Sequence, residues 1–530
     1  MATTGTSWTD TVEDSVNSVF EPVSNFLGDI VFYTVNIFGT DFPLIVGWLV
    51  VAGAAFSIYF GFAQFRHLRT ATRLIRGKYE QKDAPGEVPH FQALTSAVSG
   101  TVGLGNIAGV AIAISIGGPG ATFWMILCGL LGMATKFVEC TLGVKYREFN
   151  ADGTVNGGPM LYLRKGLAER GLPLLGKVLA VGAAVSLLFF TFFGGNLFQI
   201  NQSLEQVVSV TGGDDSVFAT SGGAIFFGVV LAALVALVLI GGMRSIGAVT
   251  SRLVPAMAIV YVAACLLVIG FNITAVPEAF ATIVREAFNP QGVAGGVLGA
   301  LIIGFKRAAF SNEAGIGSAP IAHSAVKTKR PATEGIVAML EPFIDTVVIC
   351  TMTALTIIIA GGPLYQEARD TAISGGEVDG STSAGISITS DAFDTALPFF
   401  PYVLTVAVVL FAFSTVITWG YYGLKAWGFL FGHSRSKDLV YKALFCTIIV
   451  IGALLGLGTL VNLADATLFL AALFNIIGLY LLAPVVKKEL RKVLNYVRRR
   501  DAGETDEEIE ASEASEALTG PATTEARKSL

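Results

Sequence analysis

Two glycine-containing stretches, each inside an apolar run, decide the predicted fold of this chain. They are Ser99-Gly100-Thr101-Val102-Gly103-Leu104-Gly105-Asn106-Ile107-Ala108-Gly109 and Phe310-Ser311-Asn312-Glu313-Ala314-Gly315-Ile316-Gly317-Ser318-Ala319-Pro320. Each contains a Gly-x-Gly unit, and glycine tolerates unwound backbone. Unwound backbone at membrane depth must face protein or a water-filled cavity. Close helix packing through small residues explains single glycines, whereas two such breaks together predict a binding site between two broken membrane helices.

The composition of the whole chain is that of a polytopic membrane protein. Of its 530 residues, 53% are hydrophobic and 14% are charged, and the mean hydropathy is +0.67, whereas soluble domains carry about 25% charged residues. The five cysteines lie in apolar runs and form no CxxC pair, so the sequence predicts neither a disulfide framework nor a metal cluster. The composition disfavours a soluble enzyme, a secreted disulfide scaffold and a nucleic-acid-binding protein.

We predict eleven membrane-spanning helices, because a spanning helix needs about 20 mostly apolar residues. The segments lie near 43–65, 92–118, 121–145, 175–209, 221–242, 250–271, 293–325, 333–361, 397–430, 439–460 and 463–485. The alternating runs of a membrane β-barrel are absent from the sequence, so the predicted class is an all-α polytopic membrane protein. Residues 43–65 would be an extra transmembrane helix, and the remaining spans would form a five-plus-five inverted repeat, 92–271 and 293–485, in which each half begins with a broken helix.

The Lys and Arg residues predict the orientation, because basic loops stay on the cytoplasmic side. When the chain is followed from an outside N-terminus, the loops after the first and third spans are basic, from Arg66 to Lys82 and from Lys145 to Lys177. The loops on the opposite side are acidic and carry only Arg285 and Arg369 as basic residues. We therefore expect a multi-pass protein of the plasma (inner) membrane with its N-terminus outside and its C-terminus in the cytoplasm.

Three segments outside the predicted spans have their own patterns. Residues 1–42 are predicted to be an outer N-terminal segment, in which 10–40 forms an interfacial amphipathic stretch. Residues 362–396 are expected to form the longest outer loop, either a lid or a solvated connector. Residues 486–530 are predicted to be a cytoplasmic tail that is basic at first and then acidic and disordered.

The chemistry of a broken helix predicts the class of ligand. The inner ends of the two halves expose free N–H groups on one side and free C=O groups on the other. N–H groups at a positive dipole end suit a carboxylate, and C=O groups at a negative end suit an ammonium group or Na⁺. Two broken helices side by side therefore predict a site for a zwitterion, which is an amino acid.

Further motifs in the chain carry a family resemblance. They are Phe91-Gln92-Ala93-Leu94-Thr95, Val102-Gly103-Leu104-Gly105-Asn106-Ile107-Ala108-Gly109-Val110, Gly117-Gly118-Pro119-Gly120, Gly132-Met133-Ala134-Thr135-Lys136-Phe137, Gly157-Gly158-Pro159-Met160 and the second glycine stretch. Over roughly residues 40–490 the chain resembles the alanine/glycine:cation symporter family, also called sodium:alanine symporters. The resemblance implies a leucine-transporter-type fold and symport of small neutral amino acids with Na⁺ as the coupling ion. It implies no enzyme activity, no organic cofactor and no nucleic-acid partner, and it leaves the oligomeric state open.

The resemblance also implies site residues. The substrate carboxylate would meet backbone N–H groups of Gly103, Leu104 and Gly105, and its ammonium group would meet carbonyls near Thr101, Phe310 and Ser311. Asn106 and Gly315, in the same two stretches, are further substrate-site candidates. Sodium would take the backbone carbonyls of Ser99, Val102 and Phe411 and the hydroxyls of Ser414 and Thr415. The family pattern usually has Thr or Ser where this chain has Leu104, which leaves the identity of the substrate open.

Polar and aromatic residues elsewhere allow two interpretations each. Asn196 and Gln199, three residues apart on the fourth span, are expected either to face the substrate pocket or to hydrogen-bond between helices. Trp419 and Phe310 could wall the pocket around a small side chain, or simply pack in the core.

Charged residues inside spans are costly and usually face the interior in pairs. We expect Lys306 or Arg307 to pair with Glu341 or Asp345, as a gate or as a static contact. Glu313 is expected to cap backbone N–H groups in the second break rather than to contact substrate, and His323 to be an interface residue rather than a proton relay. Proton coupling through Glu313, Glu341 or Asp345 is the nearest rival function, and a channel or a non-transporting amino-acid sensor is a more distant one.

Overall fold

The computed structural model describes residues 8–81, 83–376, 382–396, 398–454 and 458–519, most of which are helical. The N-terminal helices are α1 (Trp8–Val31), α2 (Leu44–Tyr59), α3 (Ala63–Arg66) and α4 (Leu68–Ile75). An antiparallel hairpin of β1 (Thr34–Ile37) and β2 (Thr40–Pro43) connects α1 to α2, with Thr34 opposite Pro43.

The region of the predicted first repeat begins with the first broken helix. Its helices are α5 (His90–Thr101), α6 (Ala108–Gly117), α7 (Ala121–Lys145), α8 (Pro159–Glu169), α9 (Pro173–Phe192), α10 (Phe198–Val210), α11 (Ser221–Ile240) and α12 (Gly242–Phe271). A second hairpin, of β3 (Glu148–Phe149) and β4 (Val155–Asn156), lies between α7 and α8. A π-helical turn, Phe193–Leu197, joins α9 to α10.

The region of the predicted second repeat follows α13 (Val276–Phe288). Its helices are α14 (Gly296–Asn312), α15 (Ala319–His323), α16 (Pro331–Ala338), α17 (Leu340–Pro342), α18 (Thr351–Ala360), α19 (Pro363–Ile373), α20 (Thr382–Ala396), α21 (Phe400–Phe431), α22 (Arg435–Gly452) and α23 (Gly458–Asp501). α23 continues into the predicted tail, where α24 (Asp506–Thr519) follows it. A longer π-helical segment, Phe343–Cys350, joins α17 to α18.

Seven helical stretches in the described part of the chain are long and apolar enough to cross a membrane. They are Ala121–Lys145, Pro173–Val210, Ser221–Ile240, Gly242–Phe271, Pro331–Ala360, Phe400–Phe431 and Asn462–Asp501, and the bent pair His90–Thr101 with Leu104–Gly117 makes an eighth. The remaining predicted spans contain α2, the pair α14 and α15, and α22. The count of eleven and the inverted repeat stay predictions.

The helices around the two broken pairs pack closely. α7 lies against α14 and α16, and α21 lies against α5, α9, α10 and α12. The crossing of α14 and α7 depends on Gly304, because a Cβ there would stand 2.6 Å from the carbonyl oxygen of Ala121. Small residues of this kind let membrane helices approach, and here they bring both breaks to the centre of the bundle.

Two segments outside the predicted spans are helical in the structure. Within 362–396, α19 and α20 replace the predicted loop, and α20 packs on α6, where Thr389 Oγ1 donates to the carbonyl of Ile107 at 3.2 Å. This part of the segment therefore packs on the first broken helix and is no solvated connector; residues 377–381 lie outside the described residues. Of the predicted amphipathic stretch 10–40, the first part is α1, which packs along α23.

The structure also corrects the prediction of a disordered tail. α23 continues to Asp501, and residues 506–519 form α24. A capping box begins α24, because Thr505 Oγ1 accepts the Glu508 N–H at 3.2 Å and Glu508 Oε2 accepts the Thr505 N–H at 2.8 Å. Low apolar content predicted disorder, but the cap and the contacts of this helix with the bundle stabilise it. Residues 520–530 lie outside the described residues.

Candidate functional site

The first break lies between α5 and α6, whose axes are bent by 61°. Val102 is extended, with φ −74° and ψ 97°, and Leu104–Asn106 form one 3-10 turn. Asn106 stabilises this turn, because its Oδ1 accepts the Gly103 N–H at 2.8 Å. The predicted contact of a substrate carboxylate with the Gly103 N–H is therefore taken by Asn106 in this conformation. The turn itself places the carbonyl end of α5 beside the N–H end of α6.

The second break lies between α14 and α15. Glu313, Gly315 and Gly317 all have positive φ angles, of 55°, 93° and 90°, and only glycine adopts this region without a steric cost. Glu313 accepts hydrogen bonds from Ser318 Oγ at 2.5 Å and from Trp419 Nε1 at 3.2 Å. These side-chain donors replace the backbone capping that the sequence predicts for Glu313.

The two breaks lie against each other. A Cβ on Gly105 would stand 3.4 Å from the ring of Phe310 and 3.6 Å from the Cα of Ser311. Asp345 joins the breaks from the π-helical segment, since its Oδ1 accepts from Asn106 Nδ2 at 2.7 Å and its Oδ2 from Ser311 Oγ at 2.8 Å. π-Helical turns are frequent at functional sites. Asp345 thus links the first broken helix to the second through one buried carboxylate.

The residues predicted for sodium lie between α5 and α21, and all of them are buried: Ser99, Val102, Phe411, Ser414 and Thr415. Thr415 Oγ1 donates to the Ser99 carbonyl at 3.1 Å, and Ser414 Oγ donates to the Phe411 carbonyl at 2.9 Å. Ser99 Oγ donates in turn to the Ser414 carbonyl at 2.7 Å. Hydroxyl and carbonyl oxygens of the two helices therefore face each other here.

The same group of oxygens borders the first break. A Cβ on Gly103 would stand 2.7 Å from Thr415 Oγ1 and 3.3 Å from Gln199 Oε1. Gln199 Oε1 is buried and has no hydrogen-bond partner among the described residues. Backbone carbonyls at an unwound helix are the usual ligands of Na⁺ in transporters of this kind. The donor set therefore fits a monovalent hard cation, because every candidate ligand atom is an oxygen.

Aromatic rings surround the other side of the breaks. The ring of Phe190 lies 4.5 Å from that of Trp419 and 6.1 Å from that of Phe310, and Phe198 lies 5.8 Å from Phe310. Gly195 in the π-helical turn permits this packing, since a Cβ there would stand 2.5 Å from Trp419 Cγ. Trp419 and Phe310 thus both pack against Phe190, and their role as a pocket wall stays a prediction, whereas Phe190 and Phe198 were missed. The phenylalanine-rich run before Gly194 was the available signal.

Three of the predicted substrate residues have other partners. Asn196 Nδ2 donates to the Phe445 carbonyl on α22 at 3.0 Å, so it bonds between helices rather than facing Gln199. The wider i→i+5 turn separates these two side chains, which α-helical spacing would place on one face. Gly315 lies against Ile476 of α23. The Thr101 hydroxyl bonds back to the Val98 carbonyl at 3.3 Å.

The predicted ion pairs differ from those in the structure. Lys306 Nζ and Arg307 Nη2 lie 3.3 Å and 3.1 Å from Asp465 Oδ2 on α23. Glu341 Oε1 instead pairs with Lys136 Nζ at 2.9 Å, and both side chains are fully buried. Asp465 was missed although a lone carboxylate within an apolar run is itself a signal. Residues from helices distant in the chain form these pairs, so spacing along one helix could not identify them.

His323 belongs to a buried chain of ionisable side chains. Its Nδ1 lies 2.5 Å from Glu334 Oε1, and its Nε2 lies 3.6 Å from Glu341 Oε2. His90 Nδ1 bonds the other oxygen of Glu334. The predicted interface position of His323 is therefore wrong, because its side chain is fully buried. The chain runs from His90, at the start of α5, to Lys136 in the centre of α7.

The family model described as the sodium:alanine symporter family matches residues 25–511. This chain is a member of the sodium:alanine symporter family. It is 38% identical to the sodium/alanine symporter AgcS of Methanococcus maripaludis over 461 aligned residues. The aligned region covers 87% of this chain and 96% of AgcS. It is 34% identical to the probable sodium/glutamine symporter GlnT of Bacillus subtilis, over 86% of this chain and 89% of GlnT.

The crystal structure of MhsT in complex with L-phenylalanine shares the fold, of the leucine-transporter type. The TM-score is 0.51 at 14% identity, and the match covers 73% of this chain and 88% of MhsT. Membership of the sodium:alanine symporter family makes this protein a multi-pass membrane transporter and not an enzyme.

Proposed function

We propose that this protein is a Na⁺-coupled symporter of small neutral amino acids, such as alanine or glycine, working by alternating access. The observation that carries the proposal is the contact of the two breaks at Gly105 and Phe310, next to the hydroxyls that α21 presents to the first break. Discontinuous helices at the middle of a bundle form the substrate and ion sites of many secondary transporters. Two relatives, the sodium/alanine symporter AgcS and the probable sodium/glutamine symporter GlnT, support the same interpretation.

In this proposal Na⁺ binds the carbonyls of Ser99, Val102 and Phe411 and the hydroxyls of Ser414 and Thr415. The positive ion would offset the negative dipole end of α5 and would hold α5 against α21. Its ligands come from both helices, since Thr415 Oγ1 and the Ser99 carbonyl lie 3.1 Å apart. Sodium binding and the position of α5 are therefore coupled.

The substrate in this proposal is a zwitterion with a small side chain. Its carboxylate meets the backbone N–H groups of Leu104 and Gly105, because Asn106 occupies that of Gly103. Its ammonium group meets carbonyls near Thr101, Phe310 and Ser311. The side chain faces Trp419 and Phe310, which pack with Phe190 as an aromatic wall. A hydrophobic wall discriminates by size, at about 1–3 kcal/mol per methylene.

We further propose that the N-terminus is outside the plasma (inner) membrane and that α24 is cytoplasmic. The distribution of Lys and Arg along the sequence supports this orientation. A cysteine at Ser434, in the loop before the exposed start of α22, should then be labelled by an impermeant reagent only from the cytoplasmic side.

The test of the proposal is uptake of labelled alanine into proteoliposomes under an inward Na⁺ gradient, with choline replacing Na⁺ in a parallel set. Accumulation with Na⁺ alone supports symport. Equal uptake in both sets contradicts sodium coupling, and no uptake of alanine, glycine or other small neutral amino acids in either set contradicts the proposed substrate class. Thermodynamic linkage adds a check, because Na⁺ and substrate must raise each other's affinity by the same factor.

Proton coupling is a second candidate that one specific observation favours. The side chains of His90, Glu334, His323, Glu341 and Lys136 form a buried series that begins at the first residue of α5. One step in it, from His323 Nε2 to Glu341 Oε2, is 3.6 Å, longer than a hydrogen bond. Intramembrane chains of His and carboxylates are typical of proton relays. Uptake that persists in choline and collapses when a pH gradient is dissipated would favour this candidate over sodium.

A further inference from the structure

The acidic helix α24 is docked on one end of the bundle by ion pairs. Glu510 Oε1 lies 2.7 Å from Lys329 Nζ, and both oxygens of Glu513 accept from the guanidinium of Arg330 at 3.0 Å. Ile509, the residue immediately before Glu510, is fully buried. The same end of the bundle carries Arg73 and Lys78, which hold Asp501 at the end of α23, and we call it the basic end.

Lys329 and Arg330, which pair with α24, are the last residues of a segment that packs at the basic end. This segment, residues 324–330, is called here the gate segment. Val326 forms a parallel bridge with Val88, and the Ala325 carbonyl accepts the Glu87 N–H at 2.7 Å. The gate segment is therefore joined by backbone hydrogen bonds to the residues that precede α5.

Arg147, two residues after the end of α7, stabilises the same contact. Its guanidinium donates to the carbonyls of Ser324 at 2.8 Å, Val326 at 2.5 Å, Thr328 at 2.8 Å and Pro85 at 2.9 Å. Burial lowers the pKa of Arg147 to about 10, so it stays charged at neutral pH. One side chain thus bridges the gate segment and the chain before α5.

The connection extends from α24 to the first broken helix. Arg330 is the residue immediately before α16, and Glu334 on α16 bonds His90, the first residue of α5. An opening of the basic end that moves α5 away from α16 must therefore break contacts of the gate segment. α24 stabilises the gate segment through ion pairs, because Lys329 and Arg330 are the last residues of that segment.

We propose that α24 is an acidic strap that holds the basic end closed and slows its opening during the transport cycle. The occupant of the basic surface is this chain's own C-terminal helix, whose carboxylates complement Lys329 and Arg330. The inference rests on the proposed transport function, because a strap regulates only a protein whose two ends open in turn. Exposed ion pairs are individually weak and are screened by salt, so the strap is releasable and sensitive to ionic strength.

The test uses a charge swap in the full chain. Glu510→Lys places like charges together, and Lys329→Glu combined with Glu510→Lys restores an opposite pair. Glu507→Lys is the matched control, since Glu507 is exposed on the same helix and undergoes the same charge change. Docking is followed by the spin-label distance between a cysteine at Ser515 and one at Thr70, on exposed or half-buried positions of α24 and α4.

Opening is followed by labelling of Ala325→Cys, because Ala325 is fully buried in the gate segment. We expect Glu510→Lys to lengthen the distance and to raise the labelling rate and alanine exchange by about 3- to 10-fold, since only a few weak pairs are broken. The double variant should restore wild-type values, and Glu507→Lys should keep them.

Two outcomes would overturn the strap. One is a released helix with an unchanged labelling rate, and the other is a helix that stays docked in Glu510→Lys. Labelling needs no substrate, so a wild-type protein that fails to take up alanine counts against the proposed function and leaves this measurement decisive for the strap.

Discussion

Replacement of Gly103 by alanine, in the break between α5 and α6, should weaken sodium binding more than a methyl group added at Gly109 on α6. The new Cβ would stand 2.7 Å from Thr415 Oγ1 and 3.3 Å from Gln199 Oε1, well inside an optimal contact of about 3.5–4.0 Å. Thr415 is β-branched and yields only by rotating about χ1, and this rotation moves its Oγ1 away from the Ser99 carbonyl, the other proposed sodium ligand 3.1 Å away. Overpacking of this kind costs about 1–3 kcal/mol. A cost of this size in the sodium-bound state weakens the affinity for Na⁺ by about 5- to 150-fold.

The assay is the Na⁺ concentration that gives half-maximal alanine uptake in proteoliposomes. Gly109→Ala is the matched control, because a Cβ at Gly109 meets nothing within 4 Å among the described residues, and alanine in a helix is more favourable than glycine by about 0.5–1 kcal/mol. Gly103→Ala should raise the half-maximal concentration by the stated factor while Gly109→Ala leaves it within about twofold. Equal values in the two variants, at equal amounts of folded protein, would refute the placement of the sodium site at Thr415.

Three further predictions follow from other contacts. Thr415→Ala should also raise the half-maximal Na⁺ concentration, whereas Thr447→Ala, which removes a similar hydroxyl bonded to its own helix at 3.0 Å, should not; identical shifts in both would contradict the sodium role. Trp419→Phe removes the 3.2 Å bond to Glu313 and should lower the unfolding free energy by about 1.5–3 kcal/mol, measured by thermal unfolding in detergent. Trp427→Phe is its control, because the Trp427 Nε1 has no hydrogen-bond partner in the described part of the chain, and equal losses would show that the bond is not the cause. Hydrogen bonds from the Thr505 N–H and hydroxyl hold the pKa of Glu508 below its usual 4.5; its stabilisation of α24 is therefore full at neutral pH and is lost as the pH falls through the lowered value. The spin-label distance between α24 and α4 should therefore lengthen as the pH falls below the usual 4.5 of this carboxyl, and a Glu508→Gln variant with an unchanged acid transition would contradict this cause.

The breaks were predictable because the signal is local. Gly103-x-Gly105 and Gly315-x-Gly317 lie within apolar runs, and backbone that leaves the helix at membrane depth needs such residues. The helical class and the long apolar segments follow from composition in the same way. The contacts of the Ser414 carbonyl and the Thr415 hydroxyl with Ser99 of α5 agree with the spacing of Phe411, Ser414 and Thr415 along one side of α21.

The partners of individual side chains were less predictable. The π-helical turn at Phe193–Leu197 rotates Asn196 away from Gln199, and nothing in the α-helical period indicates an i→i+5 turn. The pairing of Arg307 with Asp465 rather than Glu341 joins residues 158 positions apart, and many such pairs satisfy the same sequence. The cap of α24 was visible as Thr505-x-x-Glu508, but its helix is stabilised in addition by Lys329 and Arg330, which only the folded bundle brings near.

The sequence by itself determined where the backbone breaks, which segments are apolar, and which small polar residues accompany the breaks, because these depend on intrinsic conformational cost and on transfer from water. Only the tertiary structure decided that Asp345 links both breaks, that His323 lies in a buried charge chain, and that the acidic tail returns to the basic end. The reason is physical. Helix formation in a membrane satisfies the backbone within each segment, whereas the pairing of buried polar side chains depends on which helices pack side by side, and segments far apart in the chain decide that.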